Sequence, residues 1–341
     1  MDITETLMEL SSLPGPSGFE EEVATHVRAL LEPVMDEVWG DALGNTIAVR
    51  RCGKDGARKL LFDAHIDETG IIVTGAEEGF LRFVSLGATD ARVLPASGIL
   101  LMTDPPLHGV VCTMPPHVIK SGDAENYVKI EDMFIDVGLS QEEALKRVPA
   151  GTPGVFDSTA RRFGDGNICG KALDGRAGIT AVLCAIKLIG DASLNVDIYV
   201  MASVQGEIGK RGAAPGVYDI APDWCVVLES GYAKTPDTRP TETNEEAGGG
   251  VVISRGPNMN TEMTEIMIGL ARENRIKHQI NVEPGGNSGT NARAIQVSRG
   301  GVATALLSIP TKYMHTAHEV VSTDDVESAA RLLAETANIL R

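Results

Sequence analysis

Side chains of the kind that bind divalent cations recur beside apolar runs and glycine turns in this chain. Asp63, His65 and Asp67 alternate after the run KLLFD, so an extended backbone projects them to one side. An imidazole there can bind a cation through one ring nitrogen. Asp67 is then placed to accept the other ring N–H, which fixes the tautomer. Asp174 stands just before a helix in KALDGRAG. The ordinary role of such an aspartate is an N-cap, but its two oxygens could instead bridge two cations. Glu207 and Glu229 each end an apolar strand, and His315 follows the run that ends at Ile309. In open α/β sheets, ligands bind beyond the carboxyl ends of the strands. Each residue alone has a bland structural explanation. Together, two imidazoles and three carboxylates from separate strand ends suit paired Zn, Co or Mn ions. Such a pair clamps a carbonyl and lowers the pKa of water to about 7. His318 would share a face with His315 only in a helical loop and is not favoured. His26, His108, His117 and His278 are read as structural.

These positions need strands and helices to hold them. Apolar runs at residues 59–63, 196–204, 224–228 and 302–309 read as strands, with further strands at 34–39, 46–50 and 276–282. Residues 4–10, 19–31, 179–189, 260–274 and 323–340 read as helices, and a short helix starts near Thr290 after the loop at 285–289. Ser17 with Glu20, and Ser140 with Glu143, have capping-box spacing ahead of helices at 19–31 and 141–148. Strands alternating with helices imply an α/β fold whose mainly parallel sheet is flanked by helices. From residue 70 to 154 the pattern becomes short apolar runs broken by Pro, Gly and Asp. This stretch reads as an inserted β-rich domain, interrupting a larger domain made of residues 1–69 and 155–341.

Composition narrows the class of function. The 341 residues fit two domains, and 43% apolar content can bury a core. Acidic residues outnumber basic ones 47 to 30, a net charge of -17 that repels nucleic acid and anionic membranes. Five scattered cysteines without C-x-x-C spacing indicate neither a zinc knuckle nor a disulfide framework. The first residues lack the pattern of a signal peptide, and no apolar run approaches the ~20 residues of a membrane span. A cytoplasmic protein is expected.

The segments LPGPSGFEEEV, DAHIDETGIIV, LHGVV, PPH, IEDMFIDVG, GKALDGRAG, SVQGEIGKRGA and IPTKYMHTAHEVVS, in this order and spacing, resemble one family. It is the dinuclear metal-dependent glutamyl, deblocking and tetrahedral aminopeptidase family, some members of which were labelled endoglucanase M. The resemblance implies a phosphorylase/hydrolase-like α/β fold with a β-rich dimerisation insert. It implies self-association to dimers, often to a tetrahedral dodecamer, and action on short peptides with two divalent metal ions per subunit. It places His65, Asp174, Glu207 and His315 on ligand positions, with Asp174 bridging, and Asp67 on the aspartate behind His65. Where the family has a second aspartate ligand, this chain has Glu229. The family's general acid/base glutamate falls on Gly206, its D-D-R reads Asp174-Gly175-Arg176, and its G-T-D-A reads Gly289-Thr290-Asn291-Ala292.

Two readings follow. One is an aminopeptidase weakened by loss of a general base, a group that typically contributes roughly 10²–10⁴-fold. The alternative is a catalytically inactive metal-binding scaffold or peptide-binding subunit. A hydrolase of some other amide, with its own base, stands behind these. An endoglucanase would need an acid/base carboxylate pair about a glycosidic bond, and the carboxylates here are better explained as ligands.

Overall fold

A computed structural model describes residues 2–114, 118, 128–239, 243–284 and 289–340. The expected loop at 285–288, the PPH segment and His117 lie outside the described residues. In chain order the strands are β1 (Glu37–Gly40), β2 (Thr46–Arg50), β3 (Arg58–His65), β4 (Gly70–Glu77), β5 (Phe80–Leu86), β6 (Gly98–Leu101), β7 (Leu107–Cys112), β8 (Phe134–Asp136) and β9 (Pro153–Phe156). They continue as β10 (Arg161–Arg162), β11 (Asn167–Gly170), β12 (Val196–Ser203), β13 (Trp224–Tyr232), β14 (Val251–Arg255), β15 (His278–Val282), β16 (Ala303–Lys312) and β17 (Glu319–Ser322). The helices are α1 (Ile3–Ser12), α2 (Glu21–Leu31), α3 (Gln141–Arg147), α4 (Leu173–Ile189), α5 (Ala213–Ile220), α6 (Thr261–Glu273), α7 (Ala292–Ile295) and α8 (Thr323–Ile339).

One sheet of 11 strands runs β1-β2-β12-β3-β13-β16-β17-β11-β10, with β14 on β16 and β15 on β14. Its centre, β12-β3-β13-β16, is parallel. The flanking strands pair antiparallel, apart from β14 with β15. The central strands are continuous apolar runs because both their faces are covered. Leu60 and Phe62 of β3 face a core built with Leu7, Val27, Val182, Met267 and Leu333 of α1, α2, α4, α6 and α8. Leu61, between them, faces the opposite core with Val217 of α5 and Ile295 of α7.

The chain leaves this sheet after β3 and closes a small barrel, β4-β5-β8-β7-β6-β9, before rejoining it. The barrel has its own core of residues such as Ile71, Val73, Leu81, Phe83, Leu101 and Ile135. Ala317, from the loop after β16, packs against that core. Gly87 at the end of β5 touches the other unit too: a Cβ there would lie 3.3 Å from the Cβ of Glu207. No helix among the described residues is long and apolar enough to cross a membrane.

Local structure follows the sequence patterns with instructive differences. The capping box of Ser140 and Glu143 forms at the start of α3. That of Ser17 and Glu20 does not, and α2 has no side-chain cap. The Ser17 hydroxyl donates to Asp67 Oδ2 at 2.5 Å, and Glu20 accepts from the N–H groups of Gly18 and Gln205. A buried carboxylate needs the hydroxyl more than a helix end that water can satisfy. Asp174 is no N-cap either. It sits at a kink in the first turn of α4 with ψ 124°, and Gly175 beside it has φ 76°. Glu229 lies within β13 rather than at its end, because pairing with β16 continues as far as Tyr232.

Candidate metal centre

The parallel strands deliver their polar ends to one place. His65 closes β3, Glu207 follows β12 through a turn, Glu229 stands in β13, and His315 follows β16. Asp174 meets them from the kinked start of α4. Nε2 of His65 lies 3.4 Å from Asp174 Oδ1 and 3.5 Å from Glu229 Oε2. Nε2 of His315 lies 3.1 Å from Asp174 Oδ2 and 3.4 Å from Glu207 Oε1. The result is two groups that could hold a metal ion, His65–Asp174–Glu229 and Asp174–Glu207–His315, which share Asp174. One oxygen of that aspartate faces each group. Of the remaining histidines, His318 is exposed. His26 faces Glu9, His108 faces Asp157, and His278 faces the carbonyl of Ile276.

The electrostatics fit a cation between these side chains. Burial opposes charge on His315, but its hydrogen bonds to Asp174 and Glu207 win and raise its pKa to about 11. Burial likewise opposes charge on His65, and contacts with Asp174 and Asp67 raise its pKa. Asp174 is held below the usual carboxylate range by both imidazoles despite its burial. Burial, only partly offset by His65, pushes Glu229 up to about 7. In this arrangement protons fill the space between nitrogen and oxygen donors. A divalent ion of borderline hardness can occupy the same space, taking the Nε2 lone pairs and the carboxylate oxygens together.

A second layer of buried groups fixes the donors. Asp67 accepts from Gly206 N at 2.8 Å and Glu207 N at 3.0 Å, and its Oδ1 lies 3.2 Å from His65 Nδ1. Glu319 accepts from the N–H of Asp174 at 2.9 Å and of His315 at 2.6 Å. Burial and then the Asp174 charge push Glu319 up to about 8. Behind them Glu68 pairs with Lys171 at 2.6 Å and Arg176 at 3.4 Å, and Arg176 also donates to the carbonyls of Ile66 and Leu13. Sequence reasoning missed Ser17, Glu68, Lys171, Arg176 and Glu319. Ser17 has only the spacing of a helix cap; Glu68, Lys171 and Arg176 are charges within three residues of candidate site residues, and Glu319 is an acid heading the run EVVS.

The donors line a cavity of about 430 Å³, together with Gly206, Lys210, Gly231, Glu245, Asn281, Glu283 and Asn291. A profile described as M42 glutamyl aminopeptidase matches residues 44–332. The chain belongs to the M42 family. It is 33% identical over 334 residues to a lysyl aminopeptidase of Pyrococcus furiosus, covering 96% of this chain and 94% of that one. The structure is similar to a TET aminopeptidase from a marine sediment thaumarchaeon, with TM-score 0.94, 32% identity and coverage of 99% and 96%. It is also similar to the TET1 peptidase of Pyrococcus horikoshii, with TM-score 0.87, 29% identity and coverage of 99% and 100%.

The positions read as departures from the M42 pattern fall into two pairs, one sharing a neighbour and one in direct contact. Gly206 and Gly175 both press on His65. A Cβ at 206 would lie 2.8 Å from the His65 Cβ and Cγ, and one at 175 would lie 2.6 Å from its Cε1. Asn291 and Glu229 form the other pair, with Asn291 N donating to Glu229 Oε1 at 2.7 Å. The Asn291 side chain donates to Asp63 Oδ2 at 2.8 Å and Ser203 Oγ at 2.9 Å. An aspartate at 291 would set two buried carboxylates against each other, and burial already pushes Asp63 up to about 6.

Two variants test this construction. Asp67→Asn should weaken divalent metal binding about 10–100-fold, read by calorimetric titration, because an amide cannot accept from all these donors. Wild-type affinity would remove Asp67 from the support of the centre. Gly206→Ala should cost about 1–3 kcal/mol in denaturant unfolding, since the new methyl must displace His65. Gly300→Ala meets nothing within 4 Å and is the control, expected to stay within about 0.5 kcal/mol.

Proposed function

We propose that the protein is a metal-dependent aminopeptidase-like hydrolase acting on the N-termini of short peptides, with turnover held down by the glycine at 206. One observation carries the reading: two donor groups share Asp174, one oxygen facing each, in the wall of a peptide-sized cavity. His65, Asp174 and Glu229 would hold one divalent ion, and Asp174, Glu207 and His315 the other. The mix of imidazole and carboxylate suits Zn, Co or Mn. Two such ions would polarise the scissile carbonyl and lower the pKa of the attacking water.

The chain's own residues prepare that chemistry. Asp67 accepts a hydrogen bond from Nδ1–H of His65, a tautomer that leaves Nε2 a lone pair for the cavity. Glu319 sets the backbone of Asp174 and His315 together. No side chain at 206 can carry a proton, and the backbone there is drawn onto His65 by the Gly206–Asp67 hydrogen bond. That contact favours a second reading, a metal-binding scaffold or peptide-binding subunit without turnover. It also means that a Gly206→Glu substitution restores a base only if His65 moves.

We further propose that residues 1–69 and 155–341 form the catalytic-type domain and residues 70–154 the insert, and that the insert pairs copies of the chain. Exposed Val84 and Val110 on β5 and β7 support this. So does the Pyrococcus horikoshii relative, which can assemble into a tetrahedron or a large octahedral shell. The cysteines are unbridged, which supports a reducing, cytoplasmic setting.

Purified protein loaded with Zn, Co or Mn should hydrolyse aminoacyl anilides roughly 10²–10⁴-fold more slowly than the Pyrococcus furiosus relative assayed beside it. A chelator should abolish this, and N-acetylated substrates should be inert. Bound metal without turnover selects the second reading. A donor set that takes up no metal removes both.

A further inference from the structure

The carboxylates of the cavity are not equally accounted for. Asp174, Glu207 and Glu229 face imidazoles. Glu245 and Glu283 line the same space without any such partner, and Lys210 is the one lysine or arginine among the described lining residues. Glu245 is only 7% exposed. Its Oε1 accepts from Asn281 Nδ2 at 2.7 Å, whereas Oε2 is buried with no hydrogen-bond partner among the described residues. Buried polar atoms are nearly always satisfied, so an orphaned charged oxygen in a cavity wall asks for a ligand. Glu68, by contrast, has a lysine and an arginine, and Glu319 has two backbone N–H groups; Asp63 also keeps an unpartnered oxygen, but it is not among the residues that line the cavity.

Placement says which ligand. Oε2 lies over Gly231, where a Cβ would collide with it. The space that holds the carboxylate therefore exists because residue 231 is a glycine. Glu229 and Gly231 are alternate residues of β13 and project to the same face. At ~3.3 Å per residue, Gly231 stands about 7 Å along the strand from the candidate ligand Glu229. A peptide held at the metal centre would thus have its N-terminal residue within reach of Glu245. Burial, reinforced by the charge of Glu283, pushes the Glu245 pKa up to about 7, as expected of a carboxylate with no cation beside it.

We infer that Glu245, with Glu283, forms a cation subsite that receives an ammonium or guanidinium group from the N-terminal residue of a bound peptide. This rests on the reading of the cavity as a peptide site. The cation has two possible sources, a lysine or arginine side chain and the free α-ammonium. A Lys stem of four carbons can span from the metal centre to Oε2.

The test is calorimetric titration of metal-loaded wild type, Glu245→Gln and Glu283→Gln with L-lysine amide and L-leucine amide. Wild type should bind both. Glu245→Gln retains an acceptor for Asn281 and should weaken L-lysine amide by at least about tenfold. A loss confined to L-lysine amide assigns the subsite to the side chain, and an equal loss with L-leucine amide assigns it to the α-ammonium. Glu283→Gln, at the more exposed carboxylate, should weaken L-lysine amide about two- to fivefold and gives a readout even if the buried variant does not fold. Unchanged affinities in the variants, or no binding to wild type, overturn the inference. Anilide turnover is scored separately. Binding through Glu245 without turnover leaves the subsite standing and removes the hydrolase reading. Turnover of lysine and leucine anilides that neither variant changes from wild type does the reverse.

Discussion

The carboxylate of Asp67 is fully buried, and donors converge on it from two distant segments, the Ser17 hydroxyl and the N–H groups of Gly206 and Glu207, and from the His65 ring two residues away. A charge in that position survives only if its hydrogen bonds are made. Burial would raise its pKa, yet the His65 ring first, and then Ser17 and the Glu207 N–H, hold it below the usual carboxylate range. Much else follows from this satisfaction. The His65 tautomer is set, the turn after β12 is drawn inward, and Glu207 is brought opposite His315. The same pull brings residue 206 against the imidazole, so the order of the donor set and the absence of a side chain at 206 have one cause.

The positions read as departures from the family pattern are linked through contacts in a similar way. Gly175 and Gly206 pack on opposite parts of one ring, and Asn291 serves both Asp63 and Glu229. Changing one member of either pair leaves the other in an environment shaped for its partner. Such neighbours do not contribute additively to stability or binding.

The fold was largely legible because buried parallel strands read as apolar runs, and a polar residue that interrupts one stands out. His65, Asp67, Glu207 and Glu229 were visible on that ground, Asp174 as an acid heading a helix and His315 as an imidazole shortly after a strand, and the structure brings all of them together. What stayed hidden depends on long-range partners. Ser17 has the local spacing of a helix cap, and only the fold shows that Asp67 claims its hydroxyl. Glu319 reads as one acid in an apolar run until the backbones of Asp174 and His315 arrive beside it. Glu245, in the loop ahead of β14, gave no sequence signal, since its position depends on a glycine in β13 and an asparagine in β15.

The barrel touches the rest of the molecule where the donors are held. Gly87 abuts Glu207, and Ala317, in the loop that carries His315, rests on the barrel core. A tilt of the barrel would therefore shift a donor that must sit within a few tenths of an ångström of its place to coordinate well. By reciprocity, ions that lock those donors would stiffen the seat of the barrel. The small unit is in that sense a handle on the large one. A grip on its outer surface would bear on Glu207 and on the loop that carries His315.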